Sequence, residues 1–102
     1  MGKSTSHSGG NRPYIIAYDF SSDRLRRKVE KTLSDYGNRI QKSIFSFDIN
    51  NETINKLRGK LKVILMEYET AIEVNDSLII INNGGYDELK ATEAKEEDYA
   101  IF

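Results

Sequence analysis

The chain has 102 residues, 38% of them hydrophobic and 30% charged, with a net charge of −1. That length predicts one domain, and the absence of cysteine removes disulfides, thiolate nucleophiles and cysteine zinc sites together. No apolar run approaches the ~20 residues of a membrane span, so the reading is a cytoplasmic protein with no membrane partner.

The near-zero net charge hides a split. Residues 1–66 carry 13 Lys/Arg against 6 Asp/Glu, whereas residues 67–102 carry 2 against 10. A basic body ahead of an acidic end points to a polyanionic partner; the competing reading is a solvated charged surface.

Residues 1–11 ("MGKSTSHSGGN") are small, polar and glycine-rich, which predicts a flexible leader before a domain spanning 12–102. The leader has no apolar centre, so it is not a secretory signal. It also holds His7, the single histidine, which leaves no histidine on a fixed scaffold. Residues 14–20 ("YIIAYDF") follow the single proline and read as a mostly buried strand. Ser21 and Ser22 offer N-caps for a helix over about 22–36. Leu25, Val29, Leu33 and Tyr36 form its apolar stripe, with Arg24, Arg27, Lys28 and Lys31 beside it. Gly37 and Asn38 mark its end.

Residues 39–49 ("RIQKSIFSFDI") are long for one strand. They predict two short strands broken near Lys42 and Ser43, with Phe45, Phe47 and Ile49 on one face. Asn50 and Asn51 cap a second helix. Its stripe of Ile54, Leu57, Leu61, Leu65, Tyr68 and Ile72 extends it to about residue 72, although residues 66–74 also alternate with period two. Residues 77–82 ("SLIIIN") read as a central strand and "NNGGYD" as a turn. Residues 87–97 are acidic and poorly patterned. The apolar close "DYAIF" predicts a short strand at about 98–102 that docks on a sheet edge. The order is α+β and matches the ferredoxin-like βαββαβ arrangement with an extra C-terminal strand. Its second sheet face needs cover, which a two-fold homodimer would supply.

Asp19 closes the first strand on an exposed rim near a helix N-terminus. It is either a turn or capping residue, or a metal ligand. Mg²⁺ often takes one or two carboxylates and keeps several waters, and a two-fold dimer could bring two copies of Asp19 to one ion. Arg26, Arg27, Lys28 and Arg39 would then hold phosphates, arginine doing so with paired bonds. Arg26 could instead merely pair with Glu30 at i+4. Tyr18 and Phe45 could stack on bases, while strand alternation favours a core role for Phe45. The glycines of "NNGGYD" lack the Lys and Ser/Thr of a phosphate loop, and the single His supplies no catalytic triad.

The ordered set Tyr18-Asp19, Arg26, Lys28, Tyr36-Gly37, Arg39, Gln41, Ser43 and Phe45, followed by "NDSLIII" at 75–81, resembles the CRISPR-associated Cas-two family over about residues 14–82. The resemblance implies a ferredoxin-like homodimer and a Mg²⁺-dependent phosphodiesterase on RNA or double-stranded DNA, with Asp19 as catalytic metal ligand. It implies nucleic-acid contacts from Tyr18, Arg26, Arg27, Lys28, Arg39, Ser43 and Phe45, and a last strand that crosses to the partner subunit. It also implies a role in spacer acquisition beside the Cas-one integrase, as nuclease or as a non-catalytic adaptor bridging Cas-one dimers on duplex DNA. Two residues depart from the pattern: Lys28 stands where some relatives carry Arg, and Lys42 replaces a hydrophobic residue. A ferredoxin-like RNA-binding domain is a third reading, and it needs exposed aromatics on a sheet face.

Overall fold

The computed structural model describes residues 10–82 and 85–89. Residues 1–9 of the expected leader, with His7, and the strand expected at 98–102 lie outside the described residues. In chain order come β1 (Asn11–Asp19), α1 (Asp23–Ser34), β2 (Asn38–Gln41), β3 (Ile44–Asn50), α2 (Asn51–Glu67), a 3₁₀ turn (Glu69–Ala71), β4 (Ser77–Asn82) and β5 (Gly85–Glu88). The strands form one antiparallel sheet in the order β2-β3-β1-β4-β5. This is the ferredoxin-like arrangement with a fifth strand. Asn11, read as leader, opens β1 and pairs with Asn50.

Both helices pack on one face of the sheet. Leu25, Val29 and Leu33 of α1 and Ile54, Leu57, Leu61, Ile64 and Leu65 of α2 are buried against Tyr14, Ile16, Tyr18, Phe45, Phe47, Leu78 and Ile80. Burying one such side chain stabilises by ~1.5–3 kcal/mol, whereas a helix-surface ion pair is worth ~0.3–0.5 kcal/mol. The apolar stripe, not the charge beside it, therefore docks α1. The Ser22 side chain caps α1 by accepting from the Leu25 N–H, and Asn50 caps α2 by accepting from the Thr53 N–H.

Three expectations need correction. First, α2 stops at Glu67 rather than near residue 72, and a 3₁₀ turn follows. Tyr68 and Ile72 still pack against the core, so a tighter turn keeps the apolar spacing that the sequence read as continued helix. Second, residues 85–88 form a strand, where the sequence showed a turn and then unpatterned acid. Every residue of β5 is exposed, so burial leaves no alternation to read. Gly85, with φ +129, starts it, a backbone state that glycine adopts without strain. Third, Ser21 does not cap α1; its backbone and hydroxyl both donate to the Asp76 carboxylate. Among the described residues, no helix is long and apolar enough to cross a membrane.

Two glycines give opposite expectations in one experiment. A Cβ at Gly37 would lie 2.3 Å from the Ser46 carbonyl oxygen and 2.4 Å from a Phe47 ring carbon, while one at Gly59, on the outside of α2, would meet nothing within 4 Å. Gly37→Ala should lower stability by ~1–3 kcal/mol through overpacking. Gly59→Ala should raise it by ~0.5–1 kcal/mol through helix propensity. Urea midpoints of the two variants check both; shifts of the same sign would contradict the packing described.

Candidate functional site

The end of β1 sets two neighbouring side chains on opposite sides of the sheet. Along the strand, Tyr14, Ile16 and Tyr18 are buried under the helices, whereas Ile15, Ala17 and Asp19 point to the other face. Asp19 is exposed and pairs through its backbone with Ser77 of β4. Among the described residues, no hydrogen bond or ion pair engages its carboxylate. Capping does not explain it either, because Ser22 caps α1 and the acid of the first helical turn is Asp23.

Tyr18 turns the other way. Its ring is 4% exposed and stacks near Phe20, at 5.9 Å between centroids. Its hydroxyl donates to Glu30 at 2.8 Å. A phenol has one proton to give, so the 3.5 Å approach to the Lys42 carbonyl is a contact rather than a second bond. The other Glu30 oxygen pairs with Arg39 at 3.1 Å. Arg39 also donates to the Lys42 carbonyl at 3.2 Å and lies over the Phe45 ring, 5.4 Å from its centroid. Burial first, then the hydrogen bond and charge of Glu30, push the Tyr18 phenol above its ordinary value, with Arg39 and Arg26 pulling weakly the other way.

The remaining residues named from sequence fall in different places. Ser43 sits in the β2–β3 turn, where its carbonyl accepts the Tyr18 N–H at 3.1 Å. Arg26 lies on the flank of α1, donates to the Phe20 carbonyl at 3.3 Å and pairs with Asp23, not with Glu30. Arg27 and Lys28 are exposed. Arg27, with Arg24 and Lys31, projects from the helix side opposite the Leu25–Val29–Leu33 stripe, not from beside it as the sequence suggested. The chain thus gathers Tyr18, Arg39, Arg26 and Ser43 at the end of β1, but does not bring Arg27 and Lys28 to the face that carries Asp19. Tyr18 and Phe45 are 4% and 1% exposed, so neither ring has a free side for a base, which corrects the stacking expectation. Phe45 and Phe47 face the helices and so cannot be the exposed aromatics of an RNA-binding sheet; the exposed aromatic among the described sheet residues is Tyr86 of β5, 72% exposed and paired with Ile81. Glu30 was the residue that sequence reading misjudged; its place on the flank of α1, off the apolar stripe, was the available signal.

Among the described residues, no three acidic or histidine side chains group to hold a metal. Asp76, near Asp19 through the Ser77 pairing, spends both oxygens on Ser21 and on the Glu73 N–H. One chain therefore offers one open carboxylate here. That fits Mg²⁺ in the hydrated mode that uses one or two carboxylates, and does not fit a fully protein-caged ion.

The family model described as CRISPR associated protein Cas2 matches residues 12–88. The chain is 36% identical over 59 residues to "CRISPR-associated endoribonuclease Cas2 3" of Synechocystis sp., covering 58% of this chain and 64% of that protein. It is 38% identical over 56 residues to "CRISPR-associated endoribonuclease Cas2 1" of Chloroflexus aurantiacus, covering 55% of this chain and 60% of that protein. Each match thus spans less than two thirds of the relative. In three dimensions the chain is similar to a hypothetical protein of Thermus thermophilus, with TM-score 0.58, 28% identity and coverage of 78% of this chain and 90% of that one. It is also similar to a chain of a partial Cas6-RT-Cas1–Cas2 complex, with TM-score 0.57, 25% identity and coverage of 84% and 87%.

The raised Tyr18 phenol carries a stability consequence. Below about pH 10 the phenol is neutral both folded and unfolded. Above that, the unfolded chain loses the proton while the folded chain keeps it, so stability falls as pH rises. Tyr18→Phe removes this contribution. Between about pH 9.5 and 11 the wild-type urea midpoint should fall more steeply than that of the variant; parallel slopes would refute the buried Tyr18–Glu30 bond.

Proposed function

The chain belongs to the CRISPR associated protein Cas2 family, and from that premise we propose that it acts in CRISPR adaptation as a cytoplasmic homodimer beside a Cas1 integrase, binding duplex DNA or RNA and hydrolysing phosphodiesters with Mg²⁺ at Asp19. The observation that carries this reading is the open carboxylate of Asp19, set on a sheet face that also bears Ile15, Ala17, Ile44, Ile79 and Ile81, all half-buried, and holds neither helix.

An apolar sheet face is best satisfied by another sheet. A second copy placed there by a two-fold axis would meet the same patch with itself, and each copy would bring its own Asp19. Among the described residues, no further strand pairs with the outer edge of β5. Bound Mg²⁺ would supply polarisation of a phosphodiester and a lowered pKa for a coordinated water. The protein's own share is to hold the ion through Asp19, to fix the end of β1 through the Tyr18 N–H bond to Ser43, and to grip phosphates through Arg26 and Arg39. Arg24, Arg27, Lys28 and Lys31 would track a nucleic-acid backbone along α1.

A specific observation favours the adaptor as second reading. The outward cations of α1 and the Asp19 carboxylate lie on opposite sides of the molecule, so a duplex held by the helix face need not reach the acid. The relatives' names, endoribonuclease in both cases, support the nuclease.

Asp19→Asn should abolish Mg²⁺-dependent cleavage of labelled RNA and duplex DNA while leaving the dimer intact by light scattering. Cleavage at the wild-type rate removes Asp19 from the reaction. Spacer acquisition that survives the same substitution assigns the adaptor role instead. Ile79→Asp, in the middle of the open face, should give a folded monomer in sedimentation; an unchanged dimer would place the interface elsewhere.

A further inference from the structure

Glu30 is an acid standing where nucleic acid is proposed to bind, and simple electrostatics would make it a hindrance. Its surroundings argue otherwise. One oxygen accepts from the Tyr18 hydroxyl, whose ring is locked in the core. The other pairs with Arg39. That guanidinium is then constrained three ways: end-on by Glu30, end-on by the Lys42 carbonyl, and across its face by the Phe45 ring. A guanidinium has five N–H donors in a planar fork. One is hydrogen-bonded to the Lys42 carbonyl, the guanidinium is ion-paired with Glu30, and the Arg39 side chain remains 45% exposed while Glu30 is 21% exposed. The guanidinium is therefore held from the protein side with donors left over and much of its surface open to solvent.

We propose that Glu30 is a positioning residue: it holds the Arg39 guanidinium as a preset fork for a nucleic-acid phosphate at the β2–β3 turn. The proposal rests on the nucleic-acid reading above and adds to it a residue of the wrong charge for contact. Glu30 touches no phosphate in this role. It acts through Arg39, and Tyr18 in turn holds Glu30.

Two effects compete when Glu30 is removed. Loss of a negative charge should favour phosphate binding, but Glu30 is already offset by its ion pair with Arg39, and at about 0.15 M salt the screening length of about 8 Å blunts what repulsion reaches a phosphate in solvent. Loss of the clamp frees a long side chain that must then be ordered at each binding event, a cost that salt does not screen. The second effect should win near physiological salt.

The two effects have opposite signs, which makes the test sharp. Binding of a fluorescein-labelled DNA duplex, and of an RNA of the same sequence, is measured at about 0.15 M salt for wild type, Glu30→Ala, Arg39→Ala and the double variant. Positioning predicts that Glu30→Ala weakens binding about three- to tenfold, within the range of coupled neighbours. The slope of affinity against salt should barely change, since no phosphate contact is lost. Arg39→Ala should then cost much less in the Glu30→Ala background. Equal or tighter binding by Glu30→Ala overturns the proposal, as does full additivity in the double variant. Glu30→Gln keeps the side-chain shape but has one oxygen for two donors, so it should repeat the effect if the alanine variant fails to fold. The Arg39 Nε–H resonance gives a reading free of nucleic acid: distinct and shifted by the Phe45 ring in wild type, and averaged with exposed arginines in Glu30→Gln. An unmoved resonance overturns the proposal. If wild type binds neither nucleic acid, the proposed function falls, and this resonance, with inorganic phosphate as titrant, judges the positioning by itself.

Discussion

β1 is hydrogen-bonded on both sides, to β3 and to β4, and that double pairing fixes its pleat. A slip of one residue would turn Tyr14, Ile16 and Tyr18 out of the core and drive Ile15, Ala17 and Asp19 under the helices. The cost would include a desolvated carboxylate without a partner, which proteins do not sustain. The separation of Tyr18 and Asp19 onto opposite faces is therefore as secure as the core itself. Asp19 stays open because its neighbour does the packing, and Tyr18 can organise the Glu30–Arg39 clasp because its neighbour faces away.

The consequence is a molecule with two unlike surfaces. One is the outer side of α1, which carries Arg24, Arg27 and Lys31 and has no apolar demand. The other is the sheet face that carries neither helix, where half-buried isoleucines share the surface with a carboxylate. The clasp of Tyr18, Glu30 and Arg39 stands between them at the sheet's end, tying α1 to β1 and to the β2–β3 turn. On the proposed reading a polyanion would lie on the first surface and a second copy of the chain on the second. The two readings of function differ over whether the clasp and the carboxylate serve one bound strand or whether the helix surface alone does the holding.

Much of the fold was legible because burial writes a period into sequence. The α1 stripe, the caps Ser22 and Asn50, the break between β2 and β3 at Lys42 and Ser43, and the aliphatic β4 all follow from local rules. The failures share a physical cause. β5 is exposed along its whole length, so it has backbone pairing but no side-chain pattern. The 3₁₀ turn after α2 keeps Tyr68 and Ile72 inward, so its apolar spacing imitates more helix. In the candidate site, Asp19 was legible as the strand-ending acid after an apolar run. Glu30 was not, since its partners Tyr18 and Arg39 lie 12 and 9 positions away in the sequence, whereas local rules offered Arg26 four residues back. Tyr18 and Phe45 were misjudged for a related reason: an aromatic on a strand reads the same whether its face is covered by a helix or left open, and only the packing of α1 and α2 decides.

This dependence of the polar cluster on tertiary packing bears on the proposed combination of a phosphate grip with a metal-holding acid. An arginine held only by local bonds would swing, and a carboxylate with a nearby cation would be neutralised before any metal arrived. Here Arg39 is held by Glu30, by the turn carbonyl and by a ring face, while Arg26 is held by Asp23 and the Phe20 carbonyl. Neither guanidinium is paired with Asp19. Keeping that carboxylate unpaired costs little while it is hydrated and exposed. It becomes expensive once a second copy covers the face, because two like charges would then share a drier space. A divalent cation between them removes that cost, so on this reading the association of two chains and the capture of an ion are one linked equilibrium rather than two independent properties.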